Sequence, residues 1–231
     1  DINVQLVTDA PLEDDGPFDY VDILEEPKYE YGDKILGLPL ARFERSLYLD
    51  TDTRVVADLS CYFELLEFYD IAYAHEPYRQ ESYRGVPEAF AEPNAGLFAF
   101  RRGELTEKLF ADWKIGYERS KREEGHTNDQ PSFREAIFRS ESRSLVLPPE
   151  YNLRTCYPFF IGYAGKVRVV HGPRNDSLIK RLEVAGKHRV FLPSFEQFDG
   201  ECLSFVAETS DSFYKKFLVR IVKILRRFRA S

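Results

Sequence analysis

The sequence predicts an α/β fold: a Rossmann-like, mainly parallel sheet flanked by helices. Short apolar runs alternate with longer segments of helical periodicity, which is typical of parallel strands joined by helices. Most of the apolar runs are continuous, as expected of strands that are buried on both faces. The chain has 231 residues, of which 43% are hydrophobic, and this is enough for one sizeable core.

Six apolar runs are predicted to be strands, at residues 4–7, 47–49, 71–74, 97–100, 145–147 and 167–170. Three segments of helical periodicity are predicted to be helices, at residues 59–69, 104–122 and 130–139. Residues 76–93 are rich in Pro, Gly, Glu and Arg, and a loop of this length is often functional. The predicted organisation is a domain of residues 1–176, an extension at 177–210 and a terminal helix at 211–231.

The charge of the chain is unevenly distributed. The formal net charge is −7, but residues 211–231 carry seven basic side chains against one acidic one, so the rest of the chain is strongly acidic. An acidic body argues against nucleic acid as a partner. With 31% charged residues and no apolar run near the roughly 20 residues that a spanning helix needs, a membrane-spanning protein is excluded.

The basic tail has the pattern of an amphipathic helix. Apolar residues recur at helical spacing from Phe217 to Phe228, and basic residues from Lys216 to Arg227 follow the same period on another face. Two interpretations stay open: the helix lies on an anionic membrane, or its apolar stripe packs on the domain. We expect a cytoplasmic protein that is peripheral at the membrane if the first interpretation holds.

Two carboxylates follow the strand at 47–49 directly, in the run Leu49-Asp50-Thr51-Asp52. Ligands collect at the carboxyl ends of strands in open parallel sheets, and two acids so close repel each other when both are ionised unless a cation neutralises them. Oxygen ligands of this kind suit Mn²⁺ or Mg²⁺. Two alternatives remain. The pair could be a surface turn, or it could belong to a haloacid-dehalogenase-type phosphatase with Asp50 as nucleophile and Asp52 as general acid/base.

A second apolar strand ends at a residue type that binds metals, in Val169-Val170-His171. A neutral imidazole can complete a site begun by two carboxylates. A single His is also a common structural residue. Its position at a strand end, like that of Asp50, favours the functional interpretation.

Two further segments carry polar side chains beside predicted elements. Asn94 and Gly96 precede a strand, where they are ordinary turn residues or a place for sugar hydroxyls to approach. Asp129 and Gln130 open a helix. Because Thr127 and Gln130 have the spacing of a capping box, Gln130 can close the helix. Asp129 or Gln130 can also lie beside the reacting carbon of a bound sugar, and both interpretations can hold together.

Five motifs follow in order: the strand with Asp50 and Asp52, then N-A-G-L-F-A-F, N-D-Q-P, L-P-P-E-Y-N and V-V-H-G. Together they resemble the nucleotide-diphospho-sugar transferases with the A-type glycosyltransferase fold, and glycosyltransferase family 8 in particular, over residues 1–176. The resemblance implies a metal-dependent, hexosyltransferase-like and retaining enzyme. Such an enzyme moves a sugar from a UDP-sugar to an acceptor hydroxyl, in cell-envelope or glycan biosynthesis.

The resemblance also implies roles for single residues. Asp50, Asp52 and His171 match the metal ligands of the family, which hold Mn²⁺ or Mg²⁺. Asp129 and Gln130 match its catalytic pair near the anomeric carbon. The residues that match substrate-binding positions are Lys34, Asn94, Gly96 and Arg174, the last of which stands where the family often has a Lys that steadies the leaving diphosphate.

The first strand of the family would lie before Asp1, so we expect this segment to lack part of the nucleotide pocket. The expected lack of this strand leads to a second alternative to the transferase. The chain could be a non-catalytic, membrane-associated sugar-binding module that keeps the fold without turnover. Metal-dependent binding of a nucleotide sugar without transfer would identify it.

Overall fold

The structure is a computed structural model. It describes residues 2–14, 16–76, 83–154, 159–161, 166–172, 189–193 and 204–208, with the backbone alone at 159–161, 189–193 and 204–208. The chain divides into two compact units, and each is described by itself. Unit 1 consists of residues 1–49 and 60–147, and unit 2 of residues 50–59 and 148–231.

The strands in chain order are β1 Gln5–Thr8, β2 Tyr20–Ile23, β3 Arg45–Leu49, β4 Thr53–Val55, β5 Ile71–His75, β6 Pro93–Arg101, β7 Ser144–Leu147, β8 Leu153–Arg154, β9 Phe159–Ile161, β10 Val169–His171, β11 Arg189–Pro193 and β12 Ser204–Glu208. The α-helices are α1 Asp33–Gly37, α2 Ser60–Leu65, α3 Glu104–Glu124 and α4 Gln130–Arg139. Short 3₁₀ turns span Leu38–Leu40 and Pro149–Tyr151.

Unit 1 contains a four-stranded sheet in the order β3-β6-β5-β7 and a separate parallel pair, β1 and β2. The central strand β6 runs antiparallel to both of its neighbours, and β7 runs parallel to β5. The α/β class is therefore confirmed, but the expectation of a mainly parallel sheet is corrected to a mixed one. A continuous apolar run indicates burial on both faces of a strand and carries no information about its direction.

Aromatic side chains fix the helices of unit 1 on the sheet. Every residue of β6 from Pro93 to Phe100 is buried. Phe98 of this strand packs against Trp113 of α3 and Phe133 of α4, with ring centroids 5.9 and 5.1 Å away, and the latter two rings stack at 4.2 Å. Burial of each Phe side chain contributes about 1.5–3 kcal/mol, so this cluster holds α3 and α4 against β6.

The ends of α3 and α4 have local causes. Gly125 ends α3 in the left-handed conformation with φ 69°, and its N–H donates to the carbonyl of Lys121. Pro131 lies in the first turn of α4, as predicted. The predicted Thr127–Gln130 capping box is wrong, because Asp129 is the N-cap and the Gln130 side chain is drawn towards β6 instead.

Unit 2 contains two small sheets. In the first, β10 lies between β4, to which it is antiparallel, and β8, to which it is parallel. In the second, β11 lies between β12 and β9 and is antiparallel to both. The first sheet carries side chains with metal-binding chemistry.

All six predicted strands and all three predicted helices correspond to elements of the structure. The terminal helix predicted at 211–231 lies outside the described residues, as do the predicted boundaries at 176 and 210, so these stay predictions. No helix within the described stretches has the length and apolar character needed to cross a bilayer.

Candidate metal centre

Asp50, Asp52 and His171 come together in unit 2, and we call them the Asp–Asp–His triad. The two acids lie in the turn before β4, and the His is the last residue of β10, in register with Thr53. The turn is fixed by Thr53, whose N–H and hydroxyl both donate to the Asp50 carbonyl, and by Gly172, whose N–H donates to the Asp52 carbonyl. One ligand atom from each member lies within 4.8 Å of those of the other two.

The orientation of the imidazole is set by Asn152, the residue before β8. Its Oδ1 lies 3.0 Å from Nδ1 of His171, and both side chains are buried. Because an amide oxygen only accepts hydrogen bonds, Nδ1 is the protonated ring nitrogen and its N–H donates a hydrogen bond to Oδ1. This leaves the second ring nitrogen, Nε2, as the atom that faces the carboxylates, the arrangement found when a histidine binds a metal.

The contact between Nε2 of His171 and Oδ1 of Asp52 measures 3.2 Å. A neutral Nε2 offers a lone pair, and a carboxylate also offers only lone pairs. Two such acceptors attract each other only when a positive centre lies between them, either a proton on Nε2 or a bound cation. The geometry of this pair therefore fits a cation site.

The electrostatics of Asp52 favour its ionised form. The hydrogen bond with His171 is the largest cause of a lowered pKa of Asp52, partial burial opposes it, and the charges of His171 and Arg154 add to it. Asp52 keeps 56% of its side chain exposed, whereas His171 keeps 4%. The triad is thus a set of ligands anchored on its imidazole side and open to solvent on its carboxylate side.

The donor set is two carboxylates and one imidazole. Carboxylates suit Mg²⁺, Ca²⁺ and Mn²⁺, and imidazole suits the transition metals. A mixed set of this composition fits Mn²⁺ well. The residues present therefore fit the cation that the sequence resemblance implies.

A second group of polar residues, in unit 1, consists of Lys34, Glu76, Asn94, Asp129 and Gln130, and we call it the buried polar cluster. Lys34 of α1 places its Nζ 3.5 Å from Oδ2 of Asp129, and the two side chains are 10% and 4% exposed. The same Nζ donates to the Ala95 carbonyl at 3.5 Å.

The amide of Asn94 joins the remaining members of the buried polar cluster. Its Nδ2 donates to Glu76 Oε2 at 2.9 Å and to Gln130 Oε1 at 3.4 Å, while its Oδ1 accepts the N–H of Gly96 at 3.1 Å. Gln130 Oε1 also accepts the N–H of Ala95. The segment from Asn94 to Gly96 is therefore clamped between the end of β5 and the start of α4.

Sequence patterns did not identify Glu76 of the cluster or Asn152 beside the triad as site residues. Glu76 follows β5 directly, just as Asp50 follows β3, and that position at a strand end is the signal that could have found it. Asn152 was part of a recognised motif but had no assigned role. Arg174, predicted to bind the donor, lies outside the described residues.

Comparisons with known proteins give glycosyltransferases. The chain is similar to the solved structure of the galactosyltransferase LgtC in complex with donor and acceptor sugar analogues (15% identity, 73% of this chain and 75% of that one, TM-score 0.45). It is also similar to glycosyltransferase GlyE of Streptococcus pneumoniae TIGR4, with 19% identity over 69% of this chain and 42% of that one and a TM-score of 0.48. A third similar structure is mouse xyloside xylosyltransferase 1, with 16% identity over 62% of this chain and 66% of that one and a TM-score of 0.41.

The chain matches no protein-family model and no curated protein. The solved structures belong to the class that the sequence motifs resemble. Identities of 15–19% and TM-scores below 0.5 do not carry the activity of those proteins over to this chain, so its function has to be argued from the geometry of the site.

Proposed function

We propose that this protein is a metal-dependent glycosyltransferase, and that the Asp–Asp–His triad binds the divalent cation. The observation that carries the proposal is the 3.2 Å contact of His171 Nε2 with Asp52, made while Asn152 occupies the other ring nitrogen. The proposed reaction moves a sugar from a UDP-sugar to an acceptor hydroxyl.

The triad residues have distinct tasks in this proposal. Asp50 and Asp52 supply anionic oxygens, and His171 supplies a neutral nitrogen whose direction is fixed by Asn152. When bound, Mn²⁺ would act as a Lewis acid that stabilises the negative charge on the departing diphosphate.

The residues of the buried polar cluster receive roles from the resemblance and from their accessibility. Gln130 is half-buried, so its amide is proposed to contact the donor sugar. Asp129 is 3% exposed and faces Lys34, so the pair is proposed to hold the start of α4 in place. Asn94 and Gly96 are proposed to shape the backbone that approaches the sugar, since the Asn94 amide already bonds three protein groups.

Donor turnover with and without Mn²⁺ tests the proposal. Purified protein is assayed for hydrolysis and transfer with a panel of UDP-sugars, alongside Asp50→Asn and Asp58→Asn. Asp58 is a matched control, because it lies in the same segment of unit 2 with its side chain 66% exposed. We expect Mn²⁺-dependent turnover that Asp50→Asn lowers at least about 100-fold and Asp58→Asn leaves unchanged. Full turnover by Asp50→Asn would refute the metal role.

The same assay separates the alternatives. A phosphatase that uses Asp50 as nucleophile would release phosphate from simple phosphate esters without a nucleotide sugar. A non-catalytic module would bind UDP with Mn²⁺ and show no turnover. The phosphatase hypothesis is not favoured, because it gives no task to His171.

A further inference from the structure

In the sheet β4-β10-β8 of unit 2, Arg154 lies on the face that carries the imidazole of the triad. Residues in register on neighbouring strands point to the same face, and the face alternates along each strand. His171 is in register with Thr53 on one side and with Arg154 on the other. Val170, one residue earlier, is in register with Arg54, which therefore belongs to the opposite face.

Two observations place the Arg154 charge beside the triad. Asn152, two residues before Arg154, bonds His171 from this same face, as the alternation requires. The parallel register of β10 with β8 also pairs Arg154 directly with His171 on the neighbouring strand. Arg154 is half-buried, so a positive charge lies on the same face of this sheet as the imidazole, with part of the side chain in solvent.

A cation-loaded triad has no net charge of its own to attract an anion. The two carboxylates cancel a divalent ion when the imidazole is neutral. During sugar transfer the bond between the sugar carbon and the diphosphate oxygen breaks, and the electron pair stays on that oxygen. The acceptor oxygen forms the new bond and its proton passes to solvent. The diphosphate thus gains negative charge, and a guanidinium stabilises that charge with two parallel hydrogen bonds.

We propose that Arg154 binds the diphosphate of the nucleotide-sugar donor, an inference that rests on the proposed function of the triad. Arg154 thereby supplies a positive charge of the kind that the family resemblance implies for Arg174. Because the negative charge on the diphosphate grows as the bond breaks, Arg154 stabilises the transition state more than the bound donor.

A purely structural Arg154 makes a different prediction for the cation. If Arg154 only kept Asp52 in place, its removal would weaken Mn²⁺ binding in the absence of nucleotide. If it binds diphosphate, its removal takes away a repulsive charge, so Mn²⁺ alone binds equally well or more tightly while UDP binds less well.

Calorimetric titration distinguishes the two roles without any turnover. Mn²⁺ alone is titrated first, and then UDP, UMP and inorganic pyrophosphate are each titrated at saturating Mn²⁺. The proteins are wild type, Arg154→Ala, Arg154→Lys and the control Arg54→Ala, which removes the same charge from the other face of the sheet. Circular dichroism checks that each variant is folded, and Arg154→Lys keeps the test valid if the alanine variant is not.

We expect Arg154→Ala to weaken the binding of UDP and pyrophosphate at least about tenfold. The affinity for UMP should fall less, and the affinity for Mn²⁺ alone should not fall. Arg154→Lys should keep the charge but lose the planar fork, with an intermediate loss. UDP affinity in Arg154→Ala equal to that of Arg54→Ala would overturn this inference alone. A wild-type protein that binds neither Mn²⁺ nor UDP would overturn the proposed function itself.

Discussion

The buried polar cluster of unit 1 and the Asp–Asp–His triad of unit 2 satisfy their polar groups in opposite ways. In the cluster, donors meet acceptors: the Asn94 amide donates to the Glu76 carboxylate at 2.9 Å, and both side chains are buried. In the triad, acceptor atoms converge, and Asp52 faces the Nε2 atom of His171 while 56% of its own side chain stays exposed.

This difference separates polar side chains that stabilise the fold from side chains that need a bound cation, and of the cluster only the half-buried Gln130 is also proposed to contact the donor. A buried polar group that has its partners stabilises the fold, and removal of one partner costs about 1–3 kcal/mol of folding free energy. Converging acceptors attract each other only when a positive centre, a proton or a bound cation, lies between them. Substitutions in and around the buried polar cluster should therefore lower the stability of unit 1, whereas substitutions in the triad should lower metal affinity and leave folding nearly unchanged.

Trp113→Ala should have the largest effect, on stability alone. The side chain is fully buried, stacks on Phe133, and donates from Nε1 to the Asp129 carbonyl at 3.0 Å. We expect a loss of about 3–5 kcal/mol in the free energy of unfolding measured with urea, and a smaller loss for Trp113→Phe. Folded Trp113→Ala should bind Mn²⁺ as wild type does, and a parallel fall in Mn²⁺ affinity would break the contrast between the two regions.

Asp52→Asn should show the reverse pattern. Loss of an anionic ligand is expected to weaken Mn²⁺ binding about 100-fold, which corresponds to about 2.7 kcal/mol. Because the side chain is 56% exposed, the unfolding free energy of the metal-free protein should change by less than about 1 kcal/mol. Electron paramagnetic resonance of free Mn²⁺ measures the first quantity and urea unfolding the second, with Asp58→Asn as the control for a lost surface charge.

Asn152→Ala sharpens the contrast, because Asn152 touches the triad without contributing a ligand. Without its Oδ1, the His171 ring loses the partner that fixes its tautomer, and Mn²⁺ affinity should fall about tenfold. Asn152→Asp keeps an acceptor oxygen facing Nδ1 and should recover most of the affinity. Equal affinity in all three proteins, in the same resonance titration, would show that this contact does not orient the ring.

Asp70 provides the smallest effect and a dependence on pH. Burial raises the pKa of its carboxyl, but hydrogen bonds from the Arg143 N–H and the Arg101 guanidinium, together with their charges, outweigh it, so the net pKa is lowered. Because the pKa is lower in the folded state, the contribution to stability is full above about pH 4 and is lost as the pH falls through the folded-state pKa. Urea unfolding between pH 7 and pH 3 measures it.

Asp70→Asn should therefore lower stability by about 1 kcal/mol at pH 7 and by progressively less as the pH falls through the folded-state pKa of Asp70. Glu67→Gln, with its side chain 62% exposed, is the control for removal of an exposed acid nearby in the sequence. A constant difference between Asp70→Asn and wild type across this pH range would show that ionisation of Asp70 does not stabilise unit 1.

The sequence predicted the positions of the elements better than their pairing. Each predicted strand was a short apolar run, a local pattern that reports burial. The direction of β6 relative to β3 and β5 depends on how the chain returns to the sheet, which no local pattern records. The position of the Gln130 side chain was also not predictable from a local pattern. Its spacing from Thr127 suited a helix cap, but in the structure its Oε1 accepts hydrogen bonds from Asn94 and Ala95 on β6.

By itself, the sequence determined which residue types end the strands, and together with the family resemblance it named Asp50, Asp52 and His171 as candidate metal ligands. Only the tertiary structure decided that they meet, because the register of β10 with β4 and β8 joins three segments, of which β4 and β10 lie more than one hundred residues apart in the chain. The same register assigned Asn152 to the imidazole and Arg154 to the triad's face. Side-chain chemistry is a property of each residue, whereas convergence is a property of strand pairing.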